Sequence, residues 1–213
     1  MRLRTMRAFT LIELMISIAI LFILTGILVA RYPDSSMQLN LVNVSHSVAL
    51  SVREAQIRGS AIDSLNGQIA GYGLYFDLST PSTSGKMTLF ADRITAVVKN
   101  GIPKNGIPVG DNVYSSTPVD EASTVTNFPK GFIIKKACIG ASFPYTCANV
   151  TSLTITFARP NPQPLIFSNI TGATPQSGAC LEIWSPKAPA QGQIRSVKIL
   201  GTGLISTTTD VCE

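Results

Sequence analysis

Histidine, tryptophan and charge are scarce in this sequence, and each scarcity removes a class of function. Of 213 residues one is histidine and one tryptophan, and 14% are charged, against about a quarter in an average soluble domain. The one histidine, His46, has no acid near it in sequence, so a general base would lack its orienting partner. It reads as a solvated or packing residue of a helix. No G-x-S-x-G elbow and no phosphate-cradling glycine loop occurs. The four cysteines include no C-x-x-C pair and have no second histidine to join them, which disfavours zinc. The missing catalytic constellations point to a non-enzymatic chain without a resident cofactor.

The formal charge of +5 does not imply a polyanionic partner. Three of the 17 basic residues, Arg2, Arg4 and Arg7, lie in the first eight positions, leaving 14 against 12 acidic ones in the remainder. The basic balance belongs largely to a leader, and nucleic acid is not an expected partner.

What the sequence does have is a long apolar run. From Phe9 to Ala30 only Thr10, Glu13, Ser17 and Thr25 are polar. As a helix those residues extend about 33 Å, enough to cross a hydrocarbon core. The basic residues precede the run, which puts residues 1–8 in the cytoplasm and the bulk of the chain outside. Cleavage by an ordinary signal peptidase after Ala30 is poorly specified, because Leu28 stands where a small residue is needed. Within the run Glu13 is anomalous, since a carboxylate at mid-bilayer costs about 2.5–3.5 kcal/mol on insertion scales.

Pro33 is expected to break or kink the helix, with Asp34, Ser35 or Ser36 capping a new segment. From Met37 the apolar residues Leu41, Val44, Val48, Val52 and Ala55 recur at three and four, one face of an amphipathic helix. Asn40, Asn43, Ser47 and Arg53 fall towards solvent, and Gly59 is a candidate C-terminal stop. The two parts can form one rod of about 50 residues. Beyond Gly59 the signals are those of strands, at 71–78, 86–92, 131–139, 152–158, 164–168, 179–185 and 196–206. In SLTITFA (152–158) apolar residues alternate with Thr154 and Thr156, the pattern of a half-buried antiparallel strand. Residues 101–129 read as a long loop. Strands after one helix, without βαβ alternation, give an α+β class. The expected organisation is a leader (1–8), a transmembrane helix (9–31), an amphipathic helix (32–59) and an exported β-rich domain (60–213).

Four cysteines in an exported chain favour disulfides, with three connectivities open. The preferred one joins Cys138 to Cys147 across a short loop and Cys180 to Cys212, tying the last residues to a strand.

The segment AFTLIELMISIAIL, Ala8 to Leu21, resembles the processing and methylation motif of type IV prepilins and type II secretion pseudopilins. The resemblance implies a pilin-like fold, with the long helix packed on a C-terminal antiparallel sheet. It also implies cleavage between Ala8 and Phe9 by a membrane-bound prepilin peptidase, then methylation of the new N-terminus. Alanine replaces the family's usual glycine before the cut. Glu13 falls on the family's glutamate, four residues from the new α-ammonium and on the same helix face. It is then placed to pair with its own Phe9 amine or a neighbour's, as a registration device in assembly. Further along, SVREAQIRGSAI (51–62) and RSVKILGTGLIS (195–206) are similar to minor pilin-like proteins, the latter to the pseudopilin H group. The implied role is a minor subunit of a pilus-like or pseudopilus filament in the bacterial inner membrane, with a pilin-like DNA- or ligand-binding module for uptake or adhesion, or a membrane-anchored exported enzyme, as the alternatives. Its partners would be other subunits, the peptidase and an assembly platform.

Other constellations carry less. Asp111, Asn112, Asp120 and Glu121 gather oxygen ligands in one loop and are weak calcium candidates, since their spacing is not that of an EF-hand. Asp77 and Asp92 are expected as solvated strand ends near each other across a hairpin. Lys135, Lys136, Arg159, Lys187, Arg195 and Lys198 are candidates for a basic face. The turn in GTGLIS lacks the arginine through which some pilin-like proteins bind DNA. Asn43, Asn149 and Asn169 open N-x-S/T triplets, which arise often by chance.

Overall fold

A computed structural model describes residues 10–61, 69–80, 83–93, 112–114, 123–140, 144–158, 161, 163–171, 174–185 and 194–212. Among the described residues one helix, α1 (Leu11–Ser60), runs 50 residues and is followed by nine strands. Pro33 does not end it. Proline removes a single intrahelical bond, the one to the Val29 carbonyl, and the turns on either side keep the helix going. No second helix begins at Asp34, Ser35 or Ser36.

The lower half of α1 is a helix because it has a core to cover. Leu41, Val44, Val48, Val52 and Ala55 are buried, while Asn40, Asn43, Ser47 and Arg53 face solvent. Each fully buried valine or leucine on this face contributes about 1.5–3 kcal/mol.

The strands form two antiparallel sheets. The first has the order β3-β2-β1-β5-β6 and is built from β1 (Ile69–Asp77), β2 (Lys86–Arg93), β3 (Ser123–Asn127), β5 (Ser152–Ala158) and β6 (Pro164–Ser168). The second has the order β4-β7-β8-β9, from β4 (Ile133–Gly140), β7 (Gly178–Trp184), β8 (Ile194–Leu200) and β9 (Ile205–Thr208). One core unites them with α1: Leu74, Phe76, Leu153 and Ile155 from the first sheet meet Leu181, Ile183, Val197 and Ile199 from the second. The fold is therefore α+β and pilin-like, with the sheet region divided in two.

Three sequence expectations change here. Ser123–Asn127, within the expected loop, is an edge strand paired with β2. It lacks a hydrophobic signal because all five residues are exposed. The stretch 196–206 is a hairpin, turned at Gly201–Gly203 with Gly203 at φ +83°. And β5 is buried on both faces: Thr154 and Thr156 are as inaccessible as their apolar neighbours. At Thr156 the cause is a strap, Asn112 to Tyr114, laid over the sheet's outer face. Its Asn112 carbonyl accepts the Thr156 hydroxyl at 2.7 Å, and Tyr114 lies against the buried ring of Phe90.

Gly59 has a different role from a helix stop. The helix continues to Ser60, with Ala61 in extended conformation as C-cap and its N–H bonded to the Ile57 carbonyl at 2.9 Å. A Cβ on Gly59 would collide with the Phe157 carbonyl oxygen, and one on Gly71 would stand 2.5 Å from the same oxygen. The last turn of α1 thus sits directly on β5. Alanine in place of glycine inside a helix ordinarily stabilises by about 1 kcal/mol. At position 59 the sign reverses, and Gly59→Ala is expected to destabilise by about 1–3 kcal/mol, read from the denaturant midpoint. A rise in the midpoint refutes the close approach.

The second sheet is stapled. Disulfides join Cys138 to Cys147 and Cys180 to Cys212, and the register sets Cys138 directly opposite Cys180. All four pack with Tyr145 in a small cluster of their own. The tail is also tied by the Cys212 N–H, which donates to buried Glu182 Oε1 at 2.7 Å.

Candidate functional site at the N-terminal helix

The span Leu11–Val29 has a mean hydropathy of 2.6, and none of it is buried against the rest of the chain. Among the described residues it is the one segment long and apolar enough to cross a membrane. In lipid its polar side chains need partners within the helix. Ser17 Oγ donates to the Glu13 carbonyl at 2.8 Å and Thr25 Oγ1 to the Leu21 carbonyl at 2.7 Å, so both hydroxyls are satisfied one turn back. Thr10 is the N-cap, and its Oγ1 accepts the Glu13 N–H at 3.3 Å. What is left over is the Glu13 carboxylate, exposed in the first turn with no partner among the described residues.

Thr10 and Glu13 stand in the T-x-x-E spacing of a capping box, in which the acid reaches back towards the cap's own N–H. That pattern was available in the sequence and is what a reading centred on the carboxylate alone misses. The cap starts the helix at Leu11, one residue beyond Thr10 and two beyond Phe9. Glu13 is thereby held at the positive end of the macrodipole, which favours an anion by about 0.3–1 kcal/mol. Ala8 and Phe9 lie outside the described residues.

Residues 3–29 match the prokaryotic N-terminal methylation motif. The N-terminal segment is that of the type IV prepilin and pseudopilin family. No curated protein and no solved structure matches the chain. The motif and the single apolar helix fit a membrane-anchored, pilin-like subunit, structural rather than catalytic in character.

A second apolar feature of this pilin-like chain escaped the sequence reading, which followed one face of the helix only. Opposite the core face, Leu39, Leu50 and Ile57 are exposed at 65%, 69% and 61%. They are spaced by eleven and seven residues, which returns each to the same azimuth within about 20°. The lower half of α1 therefore has two apolar stripes, one covered and one open.

The other sequence candidates are placed as follows. His46 is exposed on α1. Asp77 and Asp92 sit at opposite ends of β1–β2, about 20 Å apart by strand rise. Asp92 pairs with Gly71 in the ladder, so it stands beside the start of β1 and Asp77 at its end. Asp92 is also fully buried, accepting the Asn112 N–H at 3.2 Å under the strap, so the solvated-end expectation fails for it. Of the calcium candidates only Asn112 is described; Asp111, Asp120 and Glu121 lie outside the described residues. Among those described, no cluster of three metal-ligating side chains occurs.

The described basic residues are set against different neighbours. Lys135 lies over the Trp184 ring at 5.5 Å, and Lys198 is 3.9 Å from Asp210. Lys136 is opposite Glu182, and Arg195 opposite Ile183. Arg159 and Lys187 lie outside the described residues. Asn43 is exposed on α1. Asn149 takes a left-handed conformation, φ +62°, in a turn that the Asn169 side chain clamps. Asn169 Oδ1 accepts the N–H groups of Thr151 and Ser152 at 2.7 and 3.2 Å, and its Nδ2 donates to the Asn149 carbonyl at 2.7 Å. These bonds give Asn169 a structural role.

Proposed function

We propose that the chain is a minor subunit of a type IV pilus-like or pseudopilus filament. It is cut between Ala8 and Phe9 by a prepilin peptidase, held in the inner membrane by α1, and then drawn into the filament through that helix. The observation that carries the reading is the methylation motif at residues 3–29, on a helix whose apolar half has no cover within the chain. A bundle of such helices would bury what a lone subunit leaves to lipid. The open stripe of Leu39, Leu50 and Ile57 would extend that packing beyond the bilayer. The partners under this reading are other pilin-type subunits, the peptidase and an inner-membrane platform. The N-terminus is cytoplasmic and the sheets lie on the far side.

Intact-mass analysis of the native chain tests the processing. The expected species begins at N-methylated Phe9. A chain retaining Met1, or one beginning at Arg31, overturns the reading.

A further inference from the structure

The outer face of the first sheet holds a groove. Its volume is about 300 Å³, and Tyr75, Asp77, Lys86, Thr88, Tyr114 and Val125 line it. Alternate residues of a strand share a face, so Tyr75 and Asp77 of β1 stand beside Thr88 and Lys86 of β2. The register pairs Tyr75 with Thr88 and Thr88 with Val125, a continuous row across three strands. Leu74, Phe76 and Met87, on the opposite face, pack into the core beneath α1. The groove therefore points away from the helix.

The walls are held in place before any ligand arrives. Tyr75 and Tyr114 stack with ring centroids 4.7 Å apart, and Tyr114 leans on Phe90 at 5.3 Å. Phe90 in turn lies over Gly73, where a Cβ would be 2.6 Å from the ring. Asp77 is fixed by its own turn: Oδ1 accepts from Ser79 Oγ at 2.6 Å and Ser79 N–H at 3.0 Å. The Ser79 hydroxyl bond, with help from Lys86, holds the Asp77 carboxyl below the usual carboxylate range. Burial, with Asp77 nearby, pushes the Tyr75 phenol up, so it keeps its proton and can donate.

We propose that this groove binds a single neutral sugar ring. The two charges decide against the alternatives, because an anion meets the Asp77 carboxylate and a cation meets the Lys86 ammonium. A polyhydroxylated neutral ligand uses both, donating to Asp77 and accepting from Lys86, with Thr88 and the tyrosine hydroxyls able to do either. The C–H face of a pyranose packs on the negative face of an aromatic ring. The volume is at the small end of the range for small-molecule sites, about 300–1,000 Å³, which suits one ring rather than a long chain. With about a dozen heavy atoms, such a ligand is expected to bind in the millimolar range.

The test uses the full chain in an uncharged polyoxyethylene detergent, which has no sugar headgroup. Glucose, galactose and N-acetylglucosamine are the probes, read by saturation-transfer NMR. Transfer to at least one of them is expected, with a Kd of about 1–10 mM. Tyr75→Ala should weaken it about tenfold or more, and Leu204→Ser, on the distant β8–β9 turn, should leave it unchanged. Circular dichroism checks the fold of each variant. If Tyr75→Ala does not fold, Asp77→Asn and Lys86→Met decide, each expected to lose about fivefold. The proposal is overturned by absence of transfer from the wild-type chain at about 20 mM sugar. It is equally overturned by affinity unchanged in folded Tyr75→Ala or in both charge variants, or by a preference for phosphocholine or sulfate at the same groove.

Discussion

Replacing Glu13 by alanine is expected to leave the chain anchored and cleaved, and to remove it from filaments. The carboxylate lies in the first turn of an exposed apolar span, where the hydroxyls of Ser17 and Thr25 have helix partners and Glu13 has none among the described residues. Holding an unpaired carboxylate in lipid costs up to about 2.5–3.5 kcal/mol, the value at the bilayer centre, and less in the first turn of a span. A neighbouring helix that supplies a cation returns that energy, and each 1.4 kcal/mol of it is a factor of ten in an association constant. Loss of the charge should therefore lower filament incorporation by on the order of tenfold or more. The ratio of chain in sheared filaments to chain in cells measures it. Glu13→Gln separates charge from shape, since glutamine keeps the size and polarity of the side chain, while the backbone N–H bond to Thr10 Oγ1 is kept by glutamine and alanine alike. If the pairing is ionic, glutamine fails with alanine; if only a polar side chain of that size matters, glutamine assembles normally. Wild-type incorporation by Glu13→Ala refutes the pairing role.

The second large effect belongs to the tail. The Cys180–Cys212 bridge closes a separation of 32 residues and Cys138–Cys147 one of nine. On the chain-entropy model these loops are worth about 4 and about 3 kcal/mol respectively. Removing the longer bridge does further damage, because the Cys212 N–H is a donor to the buried Glu182 carboxylate. The double variant Cys180→Ala, Cys212→Ala is expected to lose at least about 4 kcal/mol, or roughly 8–16 °C in Tm for a domain of this size. Calorimetry of the oxidised wild-type and variant chains measures it. A loss under about 1 kcal/mol would show that the tail is held by packing rather than by the bridge.

The sequence displayed the helix and most strands because their burial is one-sided. Leu41, Val44, Val48 and Val52 repeat at the helical period, and the core strands carry their own apolar runs. What stayed hidden was structure whose cause lies elsewhere in the chain. Thr156 looks solvent-facing until the Asn112–Tyr114 strap is laid across it, and no local pattern announces a strap. β3 carries no apolar signal because both its faces are open. Gly59 looks like a helix stop, yet its reason is a carbonyl on β5, almost a hundred residues away. The candidate site was legible in a different way. Glu13 declared itself by being the wrong polarity for its surroundings, whereas the groove of Tyr75, Asp77 and Lys86 is assembled from three strands and a strap and has no signature in any one of them.

The helix through Pro33 has a mechanical consequence. Because α1 runs unbroken from the apolar span into the core of both sheets, it acts as a crankshaft. Each residue inserted or deleted between Val29 and Met37 would turn the sheets by about 100° about the axis and shift them by about 1.5 Å. The direction in which the outer face looks is thus set by the count of residues in that short connection. A four-residue insertion, close to one full turn, is the smallest that would nearly restore it.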